Sequence, residues 1–583
     1  VRLRRSPRLP VARSAGEGRG RLLRHPVRAA LGATRFAGWH LLAIIVLAGG
    51  IAVRTVAVLG YPGALWFGDS YHYLRDATQL TPGELRPSGY SLFLWLLRPL
   101  HSLTAVLAVQ HALGILFGVM VYALVWRAGR AAWPLTDGSG LLGWRHWLPG
   151  LVGAVLITPI VLPTHEISLE HGLFAETFFT FLLLTAFLMV LWKRRMPWWV
   201  GALAGLLIGA SAVTRTLGLP FIALLLLGML VRRAGWRAMV AATVAFAAPV
   251  VGYMFWFQSV WGDFATSKAS GIFLYGRVAE FADCAVIKPD ARLAALCPKH
   301  TDPRISAAYS VMWAHDSPFR GMPDAQTNKE NNELASEFAR EAILAQPGDY
   351  IRVVVNDTLR CFKWERTFYP NPWTQRSYVF PVGERWPDSQ RVLAEQYTGN
   401  DSGESRVVQP WSGRMLRYQA HIWMPGTILG AIFLAALVVP LFRMRIPGRR
   451  RNRRALLDWI QGPMIPWGVG LGLLVVPAAT ADFDYRYVLP AVPFACLALG
   501  LALLTPKRSE AAIAEARPAA AESAEHAGDA EAAVIGEAVE TIEPAKTVTA
   551  VKSDATTSAT EPAEEADFGE TAEPAGTPEA ADH

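Results

Sequence analysis

The chain has 583 residues, 52% of them hydrophobic and only 18% charged, with a mean hydropathy of +0.24. A soluble chain of this length carries more charge and lacks repeated apolar runs of about 20 residues, the length that crosses a bilayer's hydrocarbon core. The net charge of +8 is spread over the ends of those runs rather than gathered in one patch, which excludes a nucleic-acid surface and points to residues that set membrane topology.

Taken in order, residues 1–38 form a basic arm rich in Arg, Pro and Gly, expected to be disordered, cytoplasmic and drawn to anionic headgroups. Val1 at the first position, with the Ala and Arg richness, reads as a GTG start in a GC-rich bacterial gene. No small-residue cleavage site follows the first apolar run, so a cleaved signal peptide is not expected. Ten spans are predicted: Trp39–Leu59, Leu103–Trp126, Trp147–Pro163, Leu169–Trp192, Trp198–Val213, Leu217–Val231, Met239–Phe257, Ile422–Phe442, Trp467–Thr480 and Tyr487–Leu504. The fold class is therefore an all-α polytopic membrane protein with a mainly helical and irregular extracytoplasmic insert. Placing the arm inside puts Arg127 and Arg130, Lys193 to Arg195, Arg232, Arg233 and Arg237, and the Arg443–Arg454 cluster on the cytoplasmic side together. Lys507 and Arg508 join them, so both termini are cytoplasmic and the chain belongs in the cytoplasmic membrane.

Residues 39–261 form an N-terminal membrane module with a first outside loop at 60–102, 262–420 the insert, 421–505 the last spans, and 506–583 the tail. In the insert, Asn328–Gln346 has helical composition, and Pro347 opens a second helical stretch with Ile351, Val354, Val355 and Leu359 at helical spacing. Cys284 and Cys297 lie outside, where a disulfide and two free thiols are equally open; Cys361 is a third outside cysteine and Cys496 a small apolar residue of the last span. The Ala/Glu/Pro/Thr-rich tail lacks the apolar residues to offset its chain entropy and is expected to be disordered.

The chemistry concentrates at the outer ends of the spans. Asp69, behind Trp66 and Phe67, is placed to take a proton from an acceptor hydroxyl, although on position alone an ordinary loop aspartate is the favoured reading. Glu170 and Glu176 stand near the outer end of the fourth span, where membrane cost makes function or buried pairing the expectation. His165 and Glu166 occupy a short outside turn; they are too few for a metal site and fit a structural or substrate-orienting role better. Arg215 and Arg486, at the ends of the fifth and before the tenth spans, are suited to bidentate phosphate contact, with snorkelling as the plainer alternative. No Gly-rich nucleotide loop, ATP-binding signature or zinc-spaced cysteine pair is present.

Together these residues resemble the C-type (GT-C) membrane glycosyltransferases, in particular the lipid-carrier-dependent group of protein mannosyltransferases and lipid A aminoarabinose transferases. Asp69, Tyr71, Gly83 and Arg86-Pro87-Ser88-Gly89-Tyr90 match that family's first outside loop. Glu176 in FAETFFTFLLL matches its acid before an apolar run, Thr214-Arg215 its Thr-Arg pair, and Arg486 to Pro493 its closing Arg-Tyr-x-x-Pro-x-x-Pro. The resemblance runs from Trp39 to Leu504 and departs in two places. Ser70 stands where a second acid is common, and the outside piece lies between the seventh and eighth spans rather than after the last.

The resemblance implies inverting transfer of a sugar from a polyprenyl-phosphate donor to a glycan, lipid or protein acceptor outside the membrane. Asp69 and Glu176 would be the catalytic acids, Arg86, Arg215 and Arg486 the phosphate grip, and Tyr71, Tyr90, His165, Glu166 and Glu170 the substrate-lining residues. No cofactor is implied; a divalent metal is possible and not indicated. The competing readings are a lipid-linked-sugar flippase or transporter and a non-catalytic cell-envelope assembly protein. A transporter would want charges in mid-span and broken helices in two matching halves.

Overall fold

The structure, a computed structural model, describes residues 17–133, 144–192, 196–299, 302, 304–315, 317–320, 325–367, 369–383, 388–399, 406–444 and 453–504. The expected arm before residue 17 and the expected tail 506–583 lie outside the described residues. From Glu17 the chain is helical and runs unbroken to Gly60, where an irregular arm is expected as far as residue 38. Leu, Ala and Arg dominate that stretch, and a helix already nucleated by a span extends into good helix formers at little cost.

Among the described residues every regular element is helical, and the only β pairing is one isolated parallel bridge between Leu65 and Gly172. Among the described residues five helices are long and apolar enough to cross a membrane: Ala37–Gly60, Leu103–Ala132, Ala175–Trp192, Trp236–Trp261 and Tyr485–Leu503. Two more candidates are bent pairs, His146–Val161 with Thr164–Glu170 at 58°, and Trp411–His421 with Gly426–Phe442 at 55°. Trp198–Thr214, Thr216–Val231 and Met464–Thr480 are shorter apolar helices. Each of the ten expected spans falls on one of these.

The fourth begins late. Instead of starting at Leu169, it starts at Ala175, because Thr164–Glu170 is a separate helix behind Pro163. Proline at 163 supplies no amide hydrogen and breaks the ladder there. The segment after Glu170 is instead pinned by Gln110, whose Nε2 donates to the carbonyls of both Glu170 and Gly172 at 2.9 Å.

Two spans form the centre. Ala175–Trp192 and Tyr485–Leu503 have 72% and 78% of their most apolar window buried, against 22% for Ala37–Gly60 and Trp236–Trp261, which turn Leu41, Ile45, Val244 and Phe255 outward. In a bilayer such outward apolar side chains face lipid. Elsewhere small residues set the packing. Gly201, Gly205 and Gly209, at four-residue spacing, lie against the carbonyls of Ala238, Ala242 and Phe246, and a Cβ at any of them would overlap those oxygens. Such a glycine stripe lets two helix backbones approach directly where the hydrophobic effect gives no drive.

The insert has two parts. Ser270–Val278, Ala307–Trp313 and Lys329–Ala345 enclose a small core around Tyr275, Phe319 and Phe338, with a disulfide joining Cys284 and Cys297. The remainder folds back onto the membrane module. Tyr350 donates to the carbonyl of Ala479 near the C-terminal end of Met464–Thr480 (3.0 Å). Tyr397 donates to that of Leu94 in the first loop (2.6 Å), and Ala394 and Tyr397 join the first loop's own core.

Candidate active site

Asp69 is delivered by a short run after the first span. Leu65 N donates to the His171 carbonyl (3.0 Å) and Leu173 N to the Leu65 carbonyl (3.1 Å), so the strand-like piece before Asp69 is stitched to the piece before Glu176. Ser70 tightens the seam. Its hydroxyl accepts from Phe67 N (3.0 Å) and donates to the Leu173 carbonyl (3.0 Å), which gives the residue found in place of a second acid a structural task. Gly68–Gln79 is a helix, and Asp69 lies in its first turn, where the unpaired amides favour a carboxylate.

Opposite it comes Arg486, 3% exposed, from the turn Tyr485–Tyr487. Arg486 Nη1 donates to Asp69 Oδ2 at 2.9 Å, and its Nε lies 3.2 Å from Asp484 Oδ2 and 3.6 Å from Glu176 Oε1. Arg86 Nε reaches Asp69 Oδ1 at 3.5 Å with its guanidinium over the Phe273 ring of the insert. Arg215, in the joint after Trp198–Thr214, pairs with Glu176 and stacks over Tyr487. Three carboxylates thus face three guanidiniums. Burial raises the cost of charging Asp69, but Arg86 and Arg486 outweigh it and hold its carboxyl well below the usual carboxylate range.

The structure brings together Asp69, Arg86, Glu176, Arg215 and Arg486, from four separated stretches of sequence. The other expected residues divide. A small cavity lies beside Glu176, bordered by Glu166, Glu170, Thr177 and Thr180, and Glu166 Oε1 is buried there without a hydrogen-bond partner. His165 turns its ring edge-on to Tyr378 at 6.4 Å. Tyr71 packs on Trp66 and accepts from Gln390 Nε2 of the insert at 2.9 Å.

Two expected lining residues are also engaged in contacts of their own. Tyr90 is fully buried and donates to Gln110 Oε1 (2.7 Å) below the loop, with Tyr73 against its edge. Glu170 borders the cavity, but its oxygens are taken by Arg54 at 2.6 and 2.7 Å and by His111 Nδ1 at 2.8 Å. From His111 the chain continues to His171 (3.0 Å) and the Tyr61 carbonyl (2.8 Å). Burying a charge in an apolar span is tolerable only with such partners, so Glu170 acts as a counter-ion that orders the Glu176 loop.

Residues that sequence reasoning missed sit around the cluster. Phe67 lies under the Arg486 guanidinium, 4.6 Å from ring centre to Cζ. Tyr378 of the insert donates to Asp484 Oδ2 (2.6 Å), and Asp484 Oδ1 accepts from Arg486 N (3.1 Å). Arg54 did carry a signal, a charge inside an apolar run; Tyr378 carried none. Nearby, Asp76 is buried beside Arg75 (3.3 Å), and burial pushes its carboxyl up to about 6, Arg75 opposing and Glu84 adding.

A metal would find one carboxylate group among the described residues, Glu280, Asp357 and Asp482, away from this site. Arg277 sits in it, with Nη1 2.5 Å from Asp357 and Nη2 on Glu280, so two of the three carboxylates are already paired.

No protein-family model matches the sequence, and no curated protein matches it. The chain is similar to ArnT. Two solved structures of ArnT from Cupriavidus metallidurans, one bound to undecaprenyl phosphate and one in the apo state, are each 12% identical with a TM-score of 0.29. They cover 80% of this chain and 78% and 77% of their own. The functional reading below rests on the ion pairs of this chain.

Proposed function

We propose that the protein transfers a sugar from a polyprenyl-phosphate donor to a hydroxyl acceptor at the extracytoplasmic face of the membrane, with inversion. The observation that carries this is the meeting of Asp69 and Glu176 on one buried cation, Arg486, with Arg86 and Arg215 at its sides. An anionic leaving group needs several guanidiniums at one point near the ends of spans, and planar donors suit phosphate. Inversion needs a base, and we assign that role to Asp69, the most exposed carboxylate of the cluster.

On this reading the acceptor oxygen attacks the anomeric carbon while its proton passes to an Asp69 oxygen. The bond from that carbon to the phosphate oxygen breaks, and the electron pair leaves with the polyprenyl phosphate, whose charge the arginines receive. Glu176 holds Arg215 and Arg486 in place. Positioning two substrates at the bilayer surface supplies much of the acceleration, and the fixed cations a further part.

The test is transfer of labelled sugar from a panel of polyprenyl-phosphate donors in membranes. Asp69→Asn should lower kcat by about 10²- to 10⁴-fold, the worth of a general base. Arg486→Gln should cost about 10²- to 10³-fold, the worth of one stabilising donor to developing charge. Transfer by Asp69→Asn at the wild-type rate would remove Asp69 from the chemistry.

A further inference from the structure

We propose that Asp69 and the donor phosphate compete for the same cations, so that loading the donor is the event that frees the base; this rests on the reading above. The site as it stands is closed on itself, since each arginine that would meet a phosphate is held by a carboxylate of the chain. A phosphate can enter only by displacing one of them. The geometry decides which.

Arg486 cannot come out to the phosphate. It is 3% exposed, its backbone amide donates to Asp484 Oδ1 (3.1 Å), the Asp484 carboxylate lies 3.2 Å from its Nε as an ion pair, and Tyr378 donates to Asp484 at 2.6 Å. Glu176 and Asp484 are equally sunk, with side chains 3% and 8% exposed. Asp69 is the loosest of the three. Its side chain is 16% exposed, it holds Arg486 by one bond, and its contact with Arg86 is stretched to 3.5 Å.

A phosphate with one to two negative charges and several acceptor oxygens outcompetes a single carboxylate for a pair of guanidiniums. Asp69 needs only a side-chain rotation to yield, because its helix is anchored by Ser70 and by the Leu65 seam. Once displaced it has lost two cations and gained an anionic neighbour. A carboxyl that is an inert base in the empty site then becomes a competent one beside the bound donor. Donor therefore binds before acceptor, and the base is switched on only where there is a sugar to move.

The experiment measures binding of undecaprenyl phosphate, with no sugar attached, to the full chain in nanodiscs. Asp69→Asn should bind it about tenfold more tightly than wild type, since the one charge that competes for Arg86 and for Arg486 Nη1 is gone. Arg486→Gln should bind it about tenfold more weakly. Weakened binding by Arg486→Gln with unchanged or weaker binding by Asp69→Asn overturns the exchange and leaves the phosphate site standing. Unchanged binding by Arg486→Gln overturns the phosphate site itself. Labelling of wild-type Asp69 by a hydrophobic carbodiimide, read by mass spectrometry, decides the matter if a variant does not fold. Undecaprenyl phosphate should raise that labelling several-fold and undecaprenol should not; no rise with the phosphate overturns the exchange.

Discussion

Asp76 shares the first-loop helix with Asp69, yet the two carboxyls are driven in opposite directions. Asp69 has two arginines; Asp76 has only the half-exposed Arg75, at 3.3 Å, and burial wins. The consequences for stability have opposite signs. For Asp69, held low, the stabilisation is present above the unfolded value of 3.8 and is lost as pH falls through its folded value. For Asp76, raised to about 6, the folded state keeps its proton longer than the unfolded chain. Stability therefore falls as pH rises from 3.8 to about 6 and stays lower above it. The cost reaches about 3 kcal/mol at most. Asp76→Asn should raise the melting temperature, and by more at pH 8 than at pH 5; an equal rise at both would show that Asp76 is not the titrating group.

At the scale of elements, the glycine stripe on Trp198–Thr214 ties helix packing to the site. That helix ends at Arg215, the partner of Glu176, so whatever pushes it from Trp236–Trp261 also moves a guanidinium. Gly205→Val should destabilise the protein by about 1–3 kcal/mol through overpacking and lower transfer as well. Leu206→Val, one residue on and 43% exposed, should do neither. Thermal melts and transfer assays of both variants check this. The same region shows what the sequence made legible. Span existence was readable because an apolar run has one stable answer in a bilayer, and each outer-end charge was readable because membrane cost leaves few reasons for it. The break at Glu170 to Phe174 was not, since it depends on Gln110 and His111 from a helix some 60 residues earlier. Nor was the bond from Tyr90 to Gln110, for the same cause. A local pattern does not say which way a ring turns.

For the whole molecule, the insert is the piece whose role was least readable. Its two halves behave differently: 270–345 encloses its own core, whereas Tyr378, Gln390 and Tyr397 complete the first loop and the cation cluster. Only a folded chain brings residues more than 300 apart together, as with Gln390 and Tyr71. Removing the disulfide tests the division. Cys284→Ser with Cys297→Ser opens a loop of 13 residues' separation and should cost the first half about 3 kcal/mol. Proteolysis should then begin within 270–345 at lower temperature, while transfer measured in the cold stays at the wild-type rate. Loss of transfer in the cold would show that the two halves act as one.

The buried pair of Arg54 and Glu170 also bears on how the protein is made. The partners are 116 residues apart, and synthesis runs from Arg54 to Glu170. The first span must therefore enter the bilayer carrying a cation whose counter-ion has not yet been translated. Arg54 lies six residues from the C-terminal end of its helix, about 9 Å along the axis, a distance at which a stretched guanidinium reaches the headgroup phosphates of a bilayer.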